Sequence, residues 1–119
     1  MNYIFGGFTS AAWNCENKFI QDAAAYIFSL RRNGVSQSEK FNVTNKNSAI
    51  FGYYGHGPRF GNDIFICDQS NLNAGSGTHF GHSYEQPASL NKEQNPKSYL
   101  GGNSNQWLVT EIEVYQIKI

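Results

Sequence analysis

Short apolar runs separated by clusters of Gly, Asn and Ser fill the 119-residue chain. Most of these runs alternate apolar and polar positions at period two, the pattern of half-buried strands. Residues 2–8 (NYIFGGF) read as an aromatic strand, with Gly6 and Gly7 marking a bulge or a close approach to the backbone. Residues 9–13 follow as a turn that pins the Trp13 ring. Residues 22–31 carry two signals. The alanines favour helix, whereas Tyr26, Phe28 and Leu30 alternate with Ile27, Ser29 and Arg31. The second half is expected as a strand ending at an Asn33-Gly34 turn, and the alanine half is left open. Residues 40–44 alternate, 45–47 turn the chain, and 49–53 start a strand that Gly55-His56-Gly57-Pro58 is expected to break. Residues 63–68 form an apolar run between two acids, as in a central strand. A long irregular stretch, 69–98, holds a short strand around 78–81. Residues 107–117 make the clearest strand: Leu108, Ile112 and Val114 share parity, while Glu111, Glu113 and Gln116 stay polar.

Short strands at regular spacing, with turn signals between them, predict a mainly antiparallel β-sandwich of two sheets with little helix, in one domain over residues 1–119. There is no alternation of strands with helices and no repeat of roughly 20–50 residues. Nine Phe, seven Tyr and two Trp supply the core, since one aromatic ring buries ~150–250 Å².

Charge narrows the function classes. Lys and Arg balance Asp and Glu at nine each, so the basic face of a nucleic-acid binder is missing. No apolar run approaches the ~18 residues of a membrane helix, and no secretory leader pattern is visible. Cys15 and Cys67 are far apart and read as thiols of a reducing compartment rather than a disulfide framework. A cytoplasmic domain is expected.

The candidate chemistry is thin. His79 and His82 are three apart, and an odd spacing on a strand points side chains to opposite faces, so no zinc site is expected. The oxygen-rich loop 68–76 lacks the glycine and glutamate that a calcium-binding helix–loop–helix places at its sixth and twelfth positions; Asx turns account for its composition. Cysteine–histidine pairs lack any supporting motif. Glu111 and Glu113 share a strand face at roughly 6–7 Å, a separation seen in glycosidases but commoner on a solvated strand. No catalytic residue, metal or cofactor is expected.

Five segments taken in order carry more information than any one of them: Ile4-Phe5-Gly6-Gly7-Phe8-Thr9 with Trp13; Ala25-Tyr26-Ile27-Phe28-Ser29-Leu30; Gly61-Asn62-Asp63-Ile64-Phe65-Ile66; Thr78-His79-Phe80-Gly81; and Glu111-Ile112-Glu113-Val114-Tyr115. This order resembles the TLDc domain, in its protist-type form. The resemblance implies a mixed sandwich and a role in resistance to oxidative damage. It also implies binding to the peripheral sector of the vacuolar proton-pumping ATPase, with no established catalytic mechanism. Gly6, Gly7 and Gly81 fall on family glycines and imply backbone geometry. Asp68 matches the acid ending the central strand and Glu113 the acid of the closing motif; both are candidate partner-binding residues. His82 stands where the family usually has Asn. The family's N-terminal, helix-bearing portion has no counterpart here, which implies a partial or reduced version.

Two other readings compete. A calcium- or carbohydrate-binding sandwich would use the loop from Asp68 to Tyr84 with exposed rings such as Tyr53, Tyr54 and Trp107. A cysteine-based antioxidant enzyme would need an exposed thiol of depressed pKa.

Overall fold

The computed structural model describes residues 2–13, 17–52, 56–72, 75–87, 99–101 and 106–117. Among these the fold is mainly β and antiparallel, with one 3-10 turn and no α-helix. The strands are β1 (Ile4–Phe8), β2 (Lys18–Ile20), β3 (Tyr26–Arg32), β4 (Val35–Asn42), β5 (Ile50–Gly52), β6 (His56–Phe60), β7 (Ile64–Cys67), β8 (Ser76–Thr78) and β9 (Gln106–Trp107), with the 3-10 turn at Lys46–Ser48. They form three sheets, ordered β1-β3-β4, β2-β5 and β6-β7-β8-β9.

The β3–β4 hairpin follows from its loop. Arg32 pairs with Val35, so only Asn33 and Gly34 turn the chain, and both have positive φ, 51° and 80°. That is the primed turn whose twist matches the flanking strands. Alternation then sorts the faces. Ile27 and Ser29 are buried, and Phe41 opposite Ile27 joins them. Tyr26 and Phe28 stay half-buried on the other face, with Lys40 opposite Phe28.

The core draws on every sheet: Ile27 from β3, Ile50 from β5, Phe60 from β6 and Ile64 from β7, closed by Phe80 and Tyr84. Tyr84 buries a polar tip there, and its hydroxyl donates to the Ala49 carbonyl at 2.6 Å. Burial and the nearby Asp63 and Asp22 carboxylates push the Tyr84 phenol well above its ordinary pKa.

The strand begun at Ile50 ends at Gly52, and Gly57 and Pro58, expected only as breakers, lie within the next strand, β6, where the register against β7 shifts between His56 and Arg59. β6 is an edge strand, the place where a sheet tolerates proline. Ala23 and Ala24 form a turn and Ala25 enters the core, so the alanine run is neither helix nor strand. β2, which has only three residues, pairs with β5 through Phe19 and Phe51 and carries no period-two signal long enough to read. The short strand expected near 78–81 is β8, at Ser76–Thr78, and residues 73, 74 and 88–98 of the long loop lie outside the described residues.

The largest correction concerns residues 107–117. Only Gln106 and Trp107 form a strand, β9, against β8. Residues 111–117 carry no strand assignment and are exposed throughout. Period-two patterning specifies faces, but a strand also needs a hydrogen-bonding neighbour, and none is present for this segment among the described residues.

No helix among the described residues is long and apolar enough to cross a membrane.

Candidate interaction surface and its buried supports

Two buried carboxylates organise the loops. Asp63 ends the Gly61–Asp63 turn and is fully buried. The Gly81 amide donates to Oδ2 at 3.0 Å, the Ser83 amide to Oδ1 at 2.8 Å and the Tyr84 amide to Oδ2 at 3.2 Å. The His79 amide donates to the Asp63 carbonyl at 3.2 Å. Thus the Thr78-His79-Phe80-Gly81 element is wrapped around one acid. Burial pushes the Asp63 carboxyl up to about 6, against the opposing pull of the backbone N–H groups of Ser83, Gly81, Tyr84 and His82. Beside it, Ser83 Oγ lies 2.8 Å from both Ser48 Oγ and His82 Nδ1. Ser83 is itself fully buried, so this serine–histidine contact is out of a substrate's reach and ties loops together.

Asp22 plays the same part for the turn after β1. It accepts from Thr9 Oγ1 at 2.6 Å, the Ser10 amide at 2.7 Å, Ser10 Oγ at 2.8 Å and the Ala24 amide at 3.0 Å. Burial opposes ionisation, but these hydrogen bonds, led by Thr9, hold its carboxyl below the ordinary value. Sequence reading assigned no role to either acid; the signal for Asp63 was that two distant motifs, Gly61-Asn62-Asp63 and Thr78-His79-Phe80-Gly81, occur together.

The glycines have distinct surroundings. A Cβ on Gly6 would sit 2.8 Å from Phe28, and one on Gly7 would sit 2.5 Å from the Phe60 ring. Gly81 has φ of 95°, a conformation that side chains other than glycine rarely adopt, with Gln86 against it.

Asp68 and Glu113 belong to a different region. β7 ends at Cys67, and Asp68 opens the exposed turn that follows. Gln69 takes a positive φ of 54°, and the Leu72 amide closes the turn on the Gln69 carbonyl at 2.9 Å. The Val109 amide donates to the Ser70 carbonyl at 2.9 Å, so this turn is joined to the root of the C-terminal segment that carries Glu113. Asp68 thus lies in the turn that holds the root of this segment, and Glu113 lies four residues beyond Val109 along it. Leu72 in the turn, and Ile112, Val114, Tyr115 and Ile117 in the segment, are all at least half exposed. The Tyr115 hydroxyl donates to Glu113, two residues back, and this hydrogen bond to the carboxylate raises the Tyr115 phenol. Exposed apolar side chains beside charged ones are what protein-binding surfaces present.

Other candidates fare differently. Trp107 is not an exposed ring: it packs edge-on against Phe5 at 5.0 Å and is 9% exposed. Tyr53, Tyr54 and Cys15 lie outside the described residues, as does the side chain of His56. The Cys67 sulfur accepts from Ser76 Oγ at 3.3 Å. His82 stacks on Phe19 at 5.7 Å, while His79 is exposed. Among the described residues no group of three or more His, Cys, Asp or Glu side chains converges to hold an ion.

The family model of the TLDc domain matches residues 1–118. No curated protein and no solved structure matches the chain.

Proposed function

Because the chain belongs to the TLDc domain family, we propose that it is a non-catalytic protein-binding domain of the cytoplasm, acting in resistance to oxidative damage. Its partner in this reading is the peripheral sector of the vacuolar proton-pumping ATPase. The surface is the Asp68 turn together with the C-terminal segment bearing Glu113. The observation that carries the reading is the exposure of Ile112, Val114, Tyr115 and Ile117, interspersed with Glu111 and Glu113 on the segment that the Val109–Ser70 hydrogen bond joins to the Asp68 turn. A non-catalytic role is supported by how the buried acids are used. Asp63 and Asp22 are hydrogen-bonded by backbone amides and hydroxyls of their own fold.

The test is affinity capture from cell lysate with the chain as bait, alongside Asp68→Lys and Glu113→Lys variants whose folding is checked by circular dichroism. Recovery of proton-pump subunits by the wild type, lost in a folded variant, is the expected result. Failure to recover pump subunits removes the named partner. Recovery that both variants leave unchanged moves the interface away from this surface.

A further inference from the structure

We propose that Asn33 is a site of spontaneous deamidation, attacked by the Gly34 backbone nitrogen at a rate set by the Asn2 carbonyl that holds that nitrogen. Asn33-Gly34 is the one Asn-Gly pair in the chain. The two residues form the tip of the β3–β4 hairpin, and both are exposed. An asparagine carboxamide carbon lies within five-membered-ring reach of the next residue's nitrogen, and glycine leaves that approach unobstructed. Apart from the chain neighbours, the nearest described atom to a Cβ built on Gly34 is Asn2 Oδ1, at 3.7 Å. The primed turn selects Asn-Gly for its positive φ. The same choice sets an exposed electrophile before the least hindered nucleophile.

The reaction needs only water and hydroxide. Hydroxide removes the Gly34 amide proton, the nitrogen bonds to Asn33 Cγ, and the Cγ–Nδ2 bond breaks to release ammonia, which takes up a proton from water. Water then opens the cyclic imide. Attack at the side-chain carbonyl restores the backbone and leaves aspartate at position 33. Attack at the backbone carbonyl leaves isoaspartate, with the chain rerouted through Cγ. No oxidant or reductant is involved. Aspartate adds a negative charge at the turn that follows Arg31 and Arg32, in a chain of zero net charge. Isoaspartate inserts a further backbone carbon into a two-residue loop that the Arg32–Val35 pair closes. A loop of that length fits few backbone geometries, so the Arg32–Val35 pair and the Arg31 Nε–Ser36 Oγ hydrogen bond at 3.2 Å, in the next pair, lose their register.

The N-terminal segment restrains the first step. The Gly34 amide donates to the Asn2 carbonyl at 2.9 Å. Removing its proton therefore breaks a hydrogen bond and turns a nitrogen lone pair toward a carbonyl oxygen. Asn2 precedes β1, whose Ile4 pairs with Arg31, and is itself exposed. Residues 2 and 3 carry no strand assignment, so this hydrogen bond sits at the end of the β1–β3 pairing, where local opening costs least. Departure of Asn2 leaves the pairs from Ile4 to Phe8 in place and frees the nucleophile. Modification at Asn33 thus proceeds according to how long Asn2 stays docked.

The test is peptide mapping by mass spectrometry of the chain incubated at mildly alkaline pH, with isoaspartate scored separately by enzymatic methylation of its carboxylate. Asn33 is expected to convert in the folded chain. A variant lacking residues 1 and 2 keeps all of β1 and should convert about three- to ten-fold faster, the rate equivalent of one hydrogen bond. The chain unfolded in urea should convert at least as fast as that variant. Asn33 intact in the folded chain after the unfolded chain has fully converted overturns the proposal. A folded truncated variant that converts at the wild-type rate overturns it as well. Should truncation unfold the chain, hydrogen exchange of the wild type decides: the Gly34 amide is expected to exchange slowly, and exchange at the rate of an unprotected amide overturns the proposal. None of these residues belongs to the Asp68 turn or the C-terminal segment, so this reading and the pump-capture reading fail separately.

Discussion

Gly81 and Asp63 lie 18 residues apart, and the Gly81 amide donates to the buried Asp63 carboxylate at 3.0 Å. The Ser83 and Tyr84 amides converge on the same side chain, so one acid supplies the acceptors for an entire loop. Replacing it strands donors inside the protein, at about 1–3 kcal/mol for each group left unsatisfied. Asp63→Ala is therefore expected to lower the thermal midpoint by about 10 °C or more, read by circular dichroism. A shift of only a degree or two would show that the loop closes without this acid.

The two buried acids respond to pH in opposite senses. Asp63 has its folded value raised from 3.8 to about 6. Its contribution to stability is full below the unfolded value and is lost as pH rises through about 6. Asp22 is held below 3.8, so its contribution is present above that value and is lost as pH falls through the folded value. The unfolding free energy of the wild type, from urea titrations, should decline between about pH 4 and pH 7 relative to Asp63→Asn, by an amount on the order of 3 kcal/mol. Asp22→Asn should flatten only the acid limb. Parallel curves for wild type and Asp63→Asn would contradict the assignment.

Gly6 and Gly7 sit side by side on β1 but face different neighbours. The ring against Gly7 is Phe60, buried in the core, while the ring against Gly6 is the half-buried Phe28. Phe28 can swing toward solvent and Phe60 cannot. Gly7→Ala should cost about 1–3 kcal/mol, the range of core overpacking, and Gly6→Ala distinctly less. Denaturant titration of both variants checks the order, and equal losses would count against it.

The two tryptophans differ in environment and can be told apart optically. Trp13 is 40% exposed, with its ring edge-on to Phe60 at 5.2 Å, whereas Trp107 is buried against Phe5. Trp13→Phe should leave a blue-shifted emission from Trp107. Trp107→Ala should leave a red-shifted one and destabilise by about 3–5 kcal/mol. Identical emission maxima in Trp13→Phe and Trp107→Phe would refute the difference in burial.

Much of this fold was legible in the chain. The aromatic run at residues 4–8, the Asn33-Gly34 turn, the alternation through Tyr26 and Phe28, and the apolar run of β7 are local signals, each sufficient to specify its own element. The order of five motifs was enough to place the chain in its family, which the match over residues 1–118 establishes. Tertiary structure decided the rest. It carried Gly57 and Pro58 within an edge strand, because β7 pairs with His56, Arg59 and Phe60 on either side of them. It made a strand of Lys18–Ile20 through β5, some thirty residues away. It left residues 111–117, the most strand-like sequence of all, without a strand partner among the described residues, and it gathered the Gly81 loop around Asp63. The physical reason is common to all four. Backbone curvature and the choice of faces are encoded in neighbouring residues, whereas hydrogen-bond acceptors and strand partners come from distant ones, and only folding brings those within reach.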